Sequence, residues 1–477
     1  MSYTRNVFKN TSIIFLAQII SYILGFFITM YTARYLGTSG FGILSLALAI
    51  TGIFGIFTDL GLSSLTVRDV ARDKSIYDKY VFNITIIKIL LAALTFGLIA
   101  LLVTVVNYSP LVTTVIYLIT ISVIINAFTG IFNSIFQANE QMKYLSFGLI
   151  FNSAIMFIGT MTAVYYQLDI TVFAFIYLLA SLITFFSLFI FYLLNFSLPS
   201  LNIDLSFWKS LLGEAWPFGL NGLFSTIFVW VDTFILSLFQ GNDAVGIYNA
   251  SYRLIMVMLI IPVSFNVSIF PIMSKFFVFS EHTLKKSVEK YFKIMIIIGV
   301  PLAVGITLIA NKVILLVYGP KFEASTLVLQ IIIWSTLFIF LNSPFTQLLQ
   351  SVNKQMVLMR ITAICMVENI ILNLILIRQF SYIGSSIVTV ITEFSVILLV
   401  FLVIRKMEYG VVKKQFRVML KVLLASLVMG ISIIYILKDL NLAIIIILAT
   451  LIYFVSIYFL RVLDEEDLGI LKELIKK

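Results

Sequence analysis

The chain has 477 residues, 61% of them hydrophobic and only 11% charged, and its mean hydropathy is +1.11. Soluble globular domains carry roughly 25% charged residues, so a water-soluble fold is excluded and a polytopic, all-helical membrane protein is expected. The formal net charge is +10, with one cysteine, Cys365, and one histidine, His282; these exclude a disulfide framework and a Cys/His metal cluster.

A run of about 20 apolar residues crosses about 30 Å of hydrocarbon as a helix. Such runs predict fourteen spans, at 12–33, 41–62, 80–105, 111–136, 145–166, 172–194, 215–238, 247–273, 291–312, 325–349, 359–378, 384–404, 418–437 and 442–461. The leading RNVFKN carries no cleavable signal pattern, so the first span is expected to be retained. An even number of spans puts both termini on one side.

Between spans 1 and 2 lies RYLGTSGFGIL (Arg34–Leu44), with Gly37 and Gly42 five apart. Between spans 7 and 8 lies LFQGNDAVGIY (Leu238–Tyr248), with Gly241 and Gly246 at the same spacing. A second pair follows spans 4 and 10: QANEQMKYL (Gln137–Leu145) and QSVNKQMVL (Gln350–Leu358), aligned on Asn139–Met142 and Asn353–Met356. The offsets are 204 and 214 residues, and the longer outer loop NKVILLVYGPKFEAS in the second half is expected to account for the difference. Six spans separate the copies, which predicts a parallel repeat about an axis along the membrane normal, with a substrate site between the halves. The expected domains are a six-helix lobe at 1–194, a cytoplasmic linker at 195–214, a second six-helix lobe at 215–404, and two extra helices with an amphipathic tail at 405–477. The linker holds LPSLNIDLSFWKSLLGE, which reads as partly amphipathic, and the tail ends in DEEDLGILKELIKK, a surface-anchor pattern.

Charge sets the expected orientation. About 25 of the 32 Lys and Arg fall at the termini and in alternate loops, among them TVRDVARDK, HTLKKSVEKYFK and RKMEYGVVKKQFR. About five (Arg34, Lys312, Lys321, Arg378 and Lys438) fall on the other side. Both termini are therefore expected in the cytoplasm, at the cell membrane, with the two glycine hinges on the outer face as the rim of a central cavity. Juxtamembrane loops against anionic lipid account for the basic charge without a nucleic-acid partner. The outer loops, such as NYSP (Asn107–Pro110) and QLDI (Gln167–Ile170), are too short to form a catalytic domain.

MYTARYLGTSGFG, FTDLGLSSLTVRDVAR, FVWVDTFILSLFQGNDAVGIYNASYRL and LLVYGPKFEAS resemble the polysaccharide-transporter (oligosaccharide flippase) branch of the MOP superfamily, which also holds the MATE multidrug exporters and the lipid II flippases. The resemblance runs from about Asn10 to Arg405. It implies two six-helix bundles forming a V around a cavity, two additional C-terminal helices, and no enzymatic activity. The implied activity is movement of a polyprenyl-(di)phosphate-linked oligosaccharide from the inner to the outer leaflet by alternating access, for cell-surface polysaccharide or glycoprotein synthesis. Membrane lipids, and a polysaccharide polymerase or glycosyltransferases, are the expected partners.

Charges within apolar spans are costly unless they pair or face a cavity. Asp232 and Arg253 flank the second hinge at similar depth, either as a salt bridge clamping spans 7 and 8 or as a charged pair at the cavity mouth. Glu368 and Glu393 lie deepest and are the candidates for H⁺ or Na⁺ coupling, with a neutral acid hydrogen-bonded between helices as the plainer reading. Lys88 and Arg34 are candidate phosphate contacts; snorkelling of Lys88 and interface anchoring of Arg34 are the alternatives. Asp59, Arg68 and Asp69, at the inner end of span 2, read as an inner gate or structural network. No cofactor or metal is expected. A MATE-like small-molecule exporter is the second reading, opposed by the lack of Asp or Glu in residues 12–33. An integral-membrane glycosyltransferase is a third, opposed by the short outer loops, and no G-x-x-x-x-G-K-[ST] loop is present for a nucleotide-driven pump.

Overall fold

The computed structural model describes residues 2–199, 202–407 and 413–463, and the regular elements among them are all helices. In order these are α1 (Ser2–Gly55), α2 (Leu62–Arg72), α3 (Tyr77–Val106), α4 (Pro110–Ala138), α5 (Met142–Tyr165), α6 (Ile170–Asn195), α7 (Leu205–Met258), α8 (Ile260–Phe279), α9 (Glu281–Val317), α10 (Ser325–Ser351), α11 (Gln355–Lys406), α12 (Lys413–Ser432) and α13 (Leu442–Phe459). Eleven continuous stretches among the described residues are long and apolar enough to span a membrane. Three of them, of 47, 58 and 52 residues, are broken inside by Gly37, Gly241 and Ser381, whose backbones leave the helical region. Each of the three thus supplies two crossings, which gives the fourteen expected. The acidic tail sequence lies outside the described residues.

Local chemistry explains the breaks. Gly37 (φ 70°, ψ −172°) and Gly241 (φ 76°, ψ −175°) adopt the same left-handed, extended conformation, open to glycine because it has no Cβ. Pro262 has no N–H to give to the carbonyl of residue 258, and α7 stops at Met258. Ser280 caps α9 by accepting from the Thr283 amide at 3.3 Å, so this helix starts ten residues before the predicted span. TVRDVARDK, read as a loop, is largely helix α2, whose Leu62, Leu65 and Val70 are buried.

The duplication is visible in the backbone. Left-handed residues recur in order in the two halves: Gly37 and Gly241, Asn107 and Gly319, Glu140 and Asn353, Gln167 and Ser381. Two sequence-based expectations are corrected. The turn after α4 matches the turn after α10 at an offset of 213 residues, not 214, because Gln141 N–H donates to Phe136 O (2.8 Å) as Lys354 N–H donates to Leu349 O (2.7 Å). The stretch read as a longer outer loop, 311–325, is helix over its first seven residues, which carry α9 to Val317, for 37 residues against 30 in α3.

Contacts divide the chain into two compact units, Met1–Asn249 and Ala250–Lys477. The repeat and the packing thus part the chain at different places, since the linker and the first part of α7 pack with the first unit. There, α1 lies along α4 and α5, α4 along α6, and α2 on α4. An aromatic cluster fills one end, with Phe132 tilted against Tyr192 (ring centroids 5.3 Å apart) and Phe136 against Tyr144 (4.7 Å). Leu211 and Ala215 of α7 are buried in the same cluster while Leu205, Leu212 and Trp216 are exposed, so the linker pattern is amphipathic as read, but it continues directly into α7. In the second unit α9, α10 and α11 pack together, and α12 and α13 dock on α9. Tyr453 donates to Ile297 O at 2.6 Å there, and Lys312 to Lys438 O and Leu440 O at 2.5 and 2.9 Å.

Residues near span ends that sequence assigns to one side meet each other. The Asn10 amide donates to Glu140 O (3.1 Å), Lys421 to Arg461 O (3.2 Å), and, at the opposite end, Tyr35 to Leu168 O (3.1 Å).

Candidate transport site

The first charged centre closes the end of α1. The chain turns through Asp59, Leu60 (φ 46°) and Gly61 (φ 86°) into α2, and the Asp59 carboxylate accepts from the Ser63 hydroxyl (2.5 Å) and the Ser63 amide (3.3 Å). Lys88 of α3 reaches the same carboxylate at 2.6 Å and also donates to Ala127 O (2.8 Å) and Ser63 Oγ (3.2 Å). Three acceptors thus meet the three protons of an ammonium that is only 1% exposed, while Asp59 is 28% exposed. Lys88 does not snorkel, and Asp59, expected at a separate gate, is its partner.

The second centre ties α2, α3 and the start of α7 together. Arg68 pairs with Asp69 at 2.7 Å and with Glu214 at 2.5 Å, and the Tyr80 hydroxyl donates to Asp69 at 2.7 Å. Burial pushes the Asp69 carboxyl up, but the Arg68 and Tyr80 hydrogen bonds outweigh it and hold the group below the usual carboxylate range. Beside it, Asn83 uses all of its amide. It donates to Lys79 O (3.0 Å) and Asn202 O (3.1 Å), and accepts from the Asp204 amide (3.1 Å) and the Trp208 indole (2.7 Å). Lys79 meets Asp204 at 2.7 Å and lies 4.5 Å over the Phe207 ring. Glu214, Tyr80, Lys79, Asn83 and Asp204 were missed in the sequence. The only local signal was Asp204 before an apolar run, a helix-cap pattern that its 3.0 Å bond from the Phe207 amide fulfils.

At the other end of the first unit the two hinges meet. The Thr38 hydroxyl donates to Asp243 at 2.5 Å. Arg34 is exposed, one turn before this contact. Asp232, 4% exposed, accepts from the Tyr248 hydroxyl at 2.9 Å, next to a Thr233–Asn249 pair at 3.1 Å. Arg253 is half-buried at the start of the second unit.

In the second unit, α11 folds back at Ser381 (φ 54°), which brings Glu368 and Glu393 to similar depth on its two arms. Ser395 donates to Glu368 at 2.8 Å, so the acid is held by the opposite arm, not by its neighbour Asn369. The Asn373 amide instead donates to Asn369 Oδ1 at 2.9 Å, and Asn369 faces Thr392 at 3.5 Å. Cys365, one turn before Glu368, is buried. Among the described residues no group of three or more His, Cys, Asp or Glu side chains converges as a metal site.

This architecture defines a class, the all-helical multi-span membrane fold. A solved structure of the lipid II flippase MurJ, inward closed, superposes with a TM-score of 0.75 at 17% identity, over 94% of this chain and 98% of that one. The family model described as polysaccharide biosynthesis protein matches residues 7–277, more than half of the sequence. The chain belongs to that family. A second model, MatE, matches residues 217–375. Two proteins of Haloferax volcanii are similar. One is described as a probable flippase (25% identical, over 36% of this chain and 37% of its own), the other as a probable low-salt glycan biosynthesis flippase (25%, over 34% and 35%). The matched region spans about a third of the length of these relatives.

Proposed function

We propose that the protein is a flippase that carries a polyprenyl-(di)phosphate-linked oligosaccharide from the inner to the outer leaflet by alternating access, supplying cell-surface polysaccharide or glycoprotein synthesis. The observation that carries this reading is the family match itself, which runs without interruption across the first hinge, both charged centres and the second hinge. The resemblance of two relatives described as flippases supports it. A flippase needs no bond-making residues. It needs cations for a phosphate headgroup and a path that opens to one side at a time; Arg34 and Arg253 are the basic groups flanking the hinges, with the acids Asp232 and Asp243 beside them. The concentration of basic residues in alternate loops supports a reading with both termini in the cytoplasm and the protein in the cell membrane, where a polymerase or glycosyltransferases would use its product. Glu368 and Glu393 are the groups we assign to H⁺ or Na⁺ coupling.

Reconstitution into vesicles with a panel of fluorescent lipid-linked sugars tests the reading. Protein-dependent flipping is expected, and its absence across the panel overturns the proposal. In the same assay Glu368→Gln or Glu393→Gln should remove the dependence on a pH or Na⁺ gradient; unchanged dependence in both refutes coupling. The MatE match at 217–375 favours a second reading, a small-molecule exporter. Gradient-driven export of cationic dyes with no movement of lipid-linked sugar would establish that reading instead.

A further inference from the structure

We infer that the two hinges form a reciprocal backbone latch, with Thr38 and Asn242 as its carbonyls and Gly42 and Gly246 as its sockets, and that this latch parts in every transport cycle. A Cβ on Gly42 would overlap the Asn242 carbonyl oxygen, and a Cβ on Gly246 would overlap the Thr38 carbonyl oxygen. The two contacts are the same contact made twice. Thr38 and Asn242 stand 204 residues apart, as do Gly42 and Gly246, and as do the kink residues Gly37 and Gly241. The centre of the arrangement lies between the two sockets, since the Cβ position of Gly42 is 3.0 Å from the Gly246 amide nitrogen.

The geometry explains the five-residue spacing of the motif. The first glycine of each pair, at φ 70° or 76°, re-aims the helix. The second, one turn further on, keeps an ordinary negative φ, so it is required for space and not for backbone conformation. Apolar burial contributes little to association between helices in lipid, so close backbone approach and hydrogen bonds must hold such a contact. One charge-assisted hydrogen bond, from Thr38 to Asp243, reinforces it. A contact made of carbonyls on glycines seals without an interlocked side chain, and it can therefore separate without a rotamer change. The role in the cycle rests on the transport reading above; the contact itself does not.

Thr38→Cys and Asp243→Cys introduced together into the full chain test the latch. The native Cys365 is buried and serves as an internal standard. After oxidation in proteoliposomes and denaturation, a polyethylene-glycol maleimide should count one thiol, and three would show that the contact is not made and overturn the inference. Oxidised protein should lose at least about tenfold in flipping of a fluorescent polyprenyl-diphosphate sugar, with recovery on reduction. Undiminished flipping by the one-thiol form would show that the latch need not open. A second arm does not depend on transport. In Thr38→Cys alone, an impermeant maleimide should label residue 38 about tenfold faster when Gly246→Leu is added, with Gly246→Ala intermediate. Equal rates in all three overturn the latch. Failure of any sugar to move in the unoxidised protein would instead sink the flippase reading and leave this arm to judge the latch.

Discussion

Asp59 and Lys88 show what a membrane does to single residues. A lysine 1% exposed inside the apolar span of α3 needs a partner, and the partner comes from the turn after α1, beyond the reach of any helical spacing rule. The Asp59 carboxylate, the Ala127 carbonyl and the Ser63 hydroxyl leave the ammonium no spare proton, so Lys88 positions the α1–α2 turn. Removing one partner of a buried pair strands the other, and the exposures make the effect asymmetric. Asp59→Asn leaves a buried, poorly compensated cation and should cost about 3 kcal/mol of stability. Lys88→Met leaves a carboxylate that water can reach, and should cost about 1 kcal/mol. Unfolding in detergent measures both, and equal losses would contradict the buried-cation account. The need for a partner was legible in the sequence from the charge alone. Its identity was not, since Asp59, Arg68 and Asp69 all lie at the same end of span 2, and only the turn at Leu60–Gly61 decides which carboxylate meets Lys88.

At the scale of elements, the first part of α7 belongs to the neighbours it grips. Its first turns carry Trp208, Leu211 and Ala215 into the aromatic cluster of the first unit, and Asn83 fastens the 202–208 segment through three hydrogen bonds. Asn83→Leu removes these bonds and leaves the Trp208 indole and the Asp204 amide seeking partners, at a cost of about 3 kcal/mol. Hydrogen exchange across residues 202–208 should rise in this variant, and unchanged protection would show that the apolar face alone holds the helix. Acid should act on the same place. The Lys79 ammonium, then the Ser206 hydroxyl and the Phe207 amide, hold the Asp204 carboxyl well below its ordinary value of 3.8. A depressed folded pKa stabilises the clasp above that value, and the contribution fades as pH falls beneath it. Protection at 202–208, corrected for intrinsic exchange, should therefore be flat from pH 7 to about 5 and decline below about 4. Amphipathicity made the linker readable as a surface-type helix. Its attachment was not readable, because one asparagine in an apolar span carries no periodic signal. The N-terminal extension of α9 was missed because charges in EHTLKKSVEK ended the apolar run, whereas the helix continues past them from its Ser280 cap.

The whole molecule is two copies of one plan, and only part of the plan was written in residue types. Gly37 and Gly241 announced themselves because their conformation favours glycine. Asn107 and Gly319, Glu140 and Asn353, and Gln167 and Ser381 take left-handed conformations too, yet as unlike residues they show no match in sequence. The fourteen crossings and the sidedness of the loops came from apolar length and charge, and the pairing of Asn10 with Glu140 and of Tyr35 with Leu168 agrees with that grouping. Charge predicts the absolute direction. About 25 of the 32 basic residues sit on the side of the termini, and basic residues in short loops resist translocation. A cysteine replacing exposed Ser109 or Asp169, each at a helix start where its side chain makes no cap bond, should react with an impermeant maleimide added to intact cells. A cysteine replacing exposed His282 should react only after permeabilisation. The unsubstituted chain is the blank, because its one thiol is buried. The opposite pattern would invert the protein, place the latched hinges at the cytoplasmic face, and turn the proposed direction of glycan movement around.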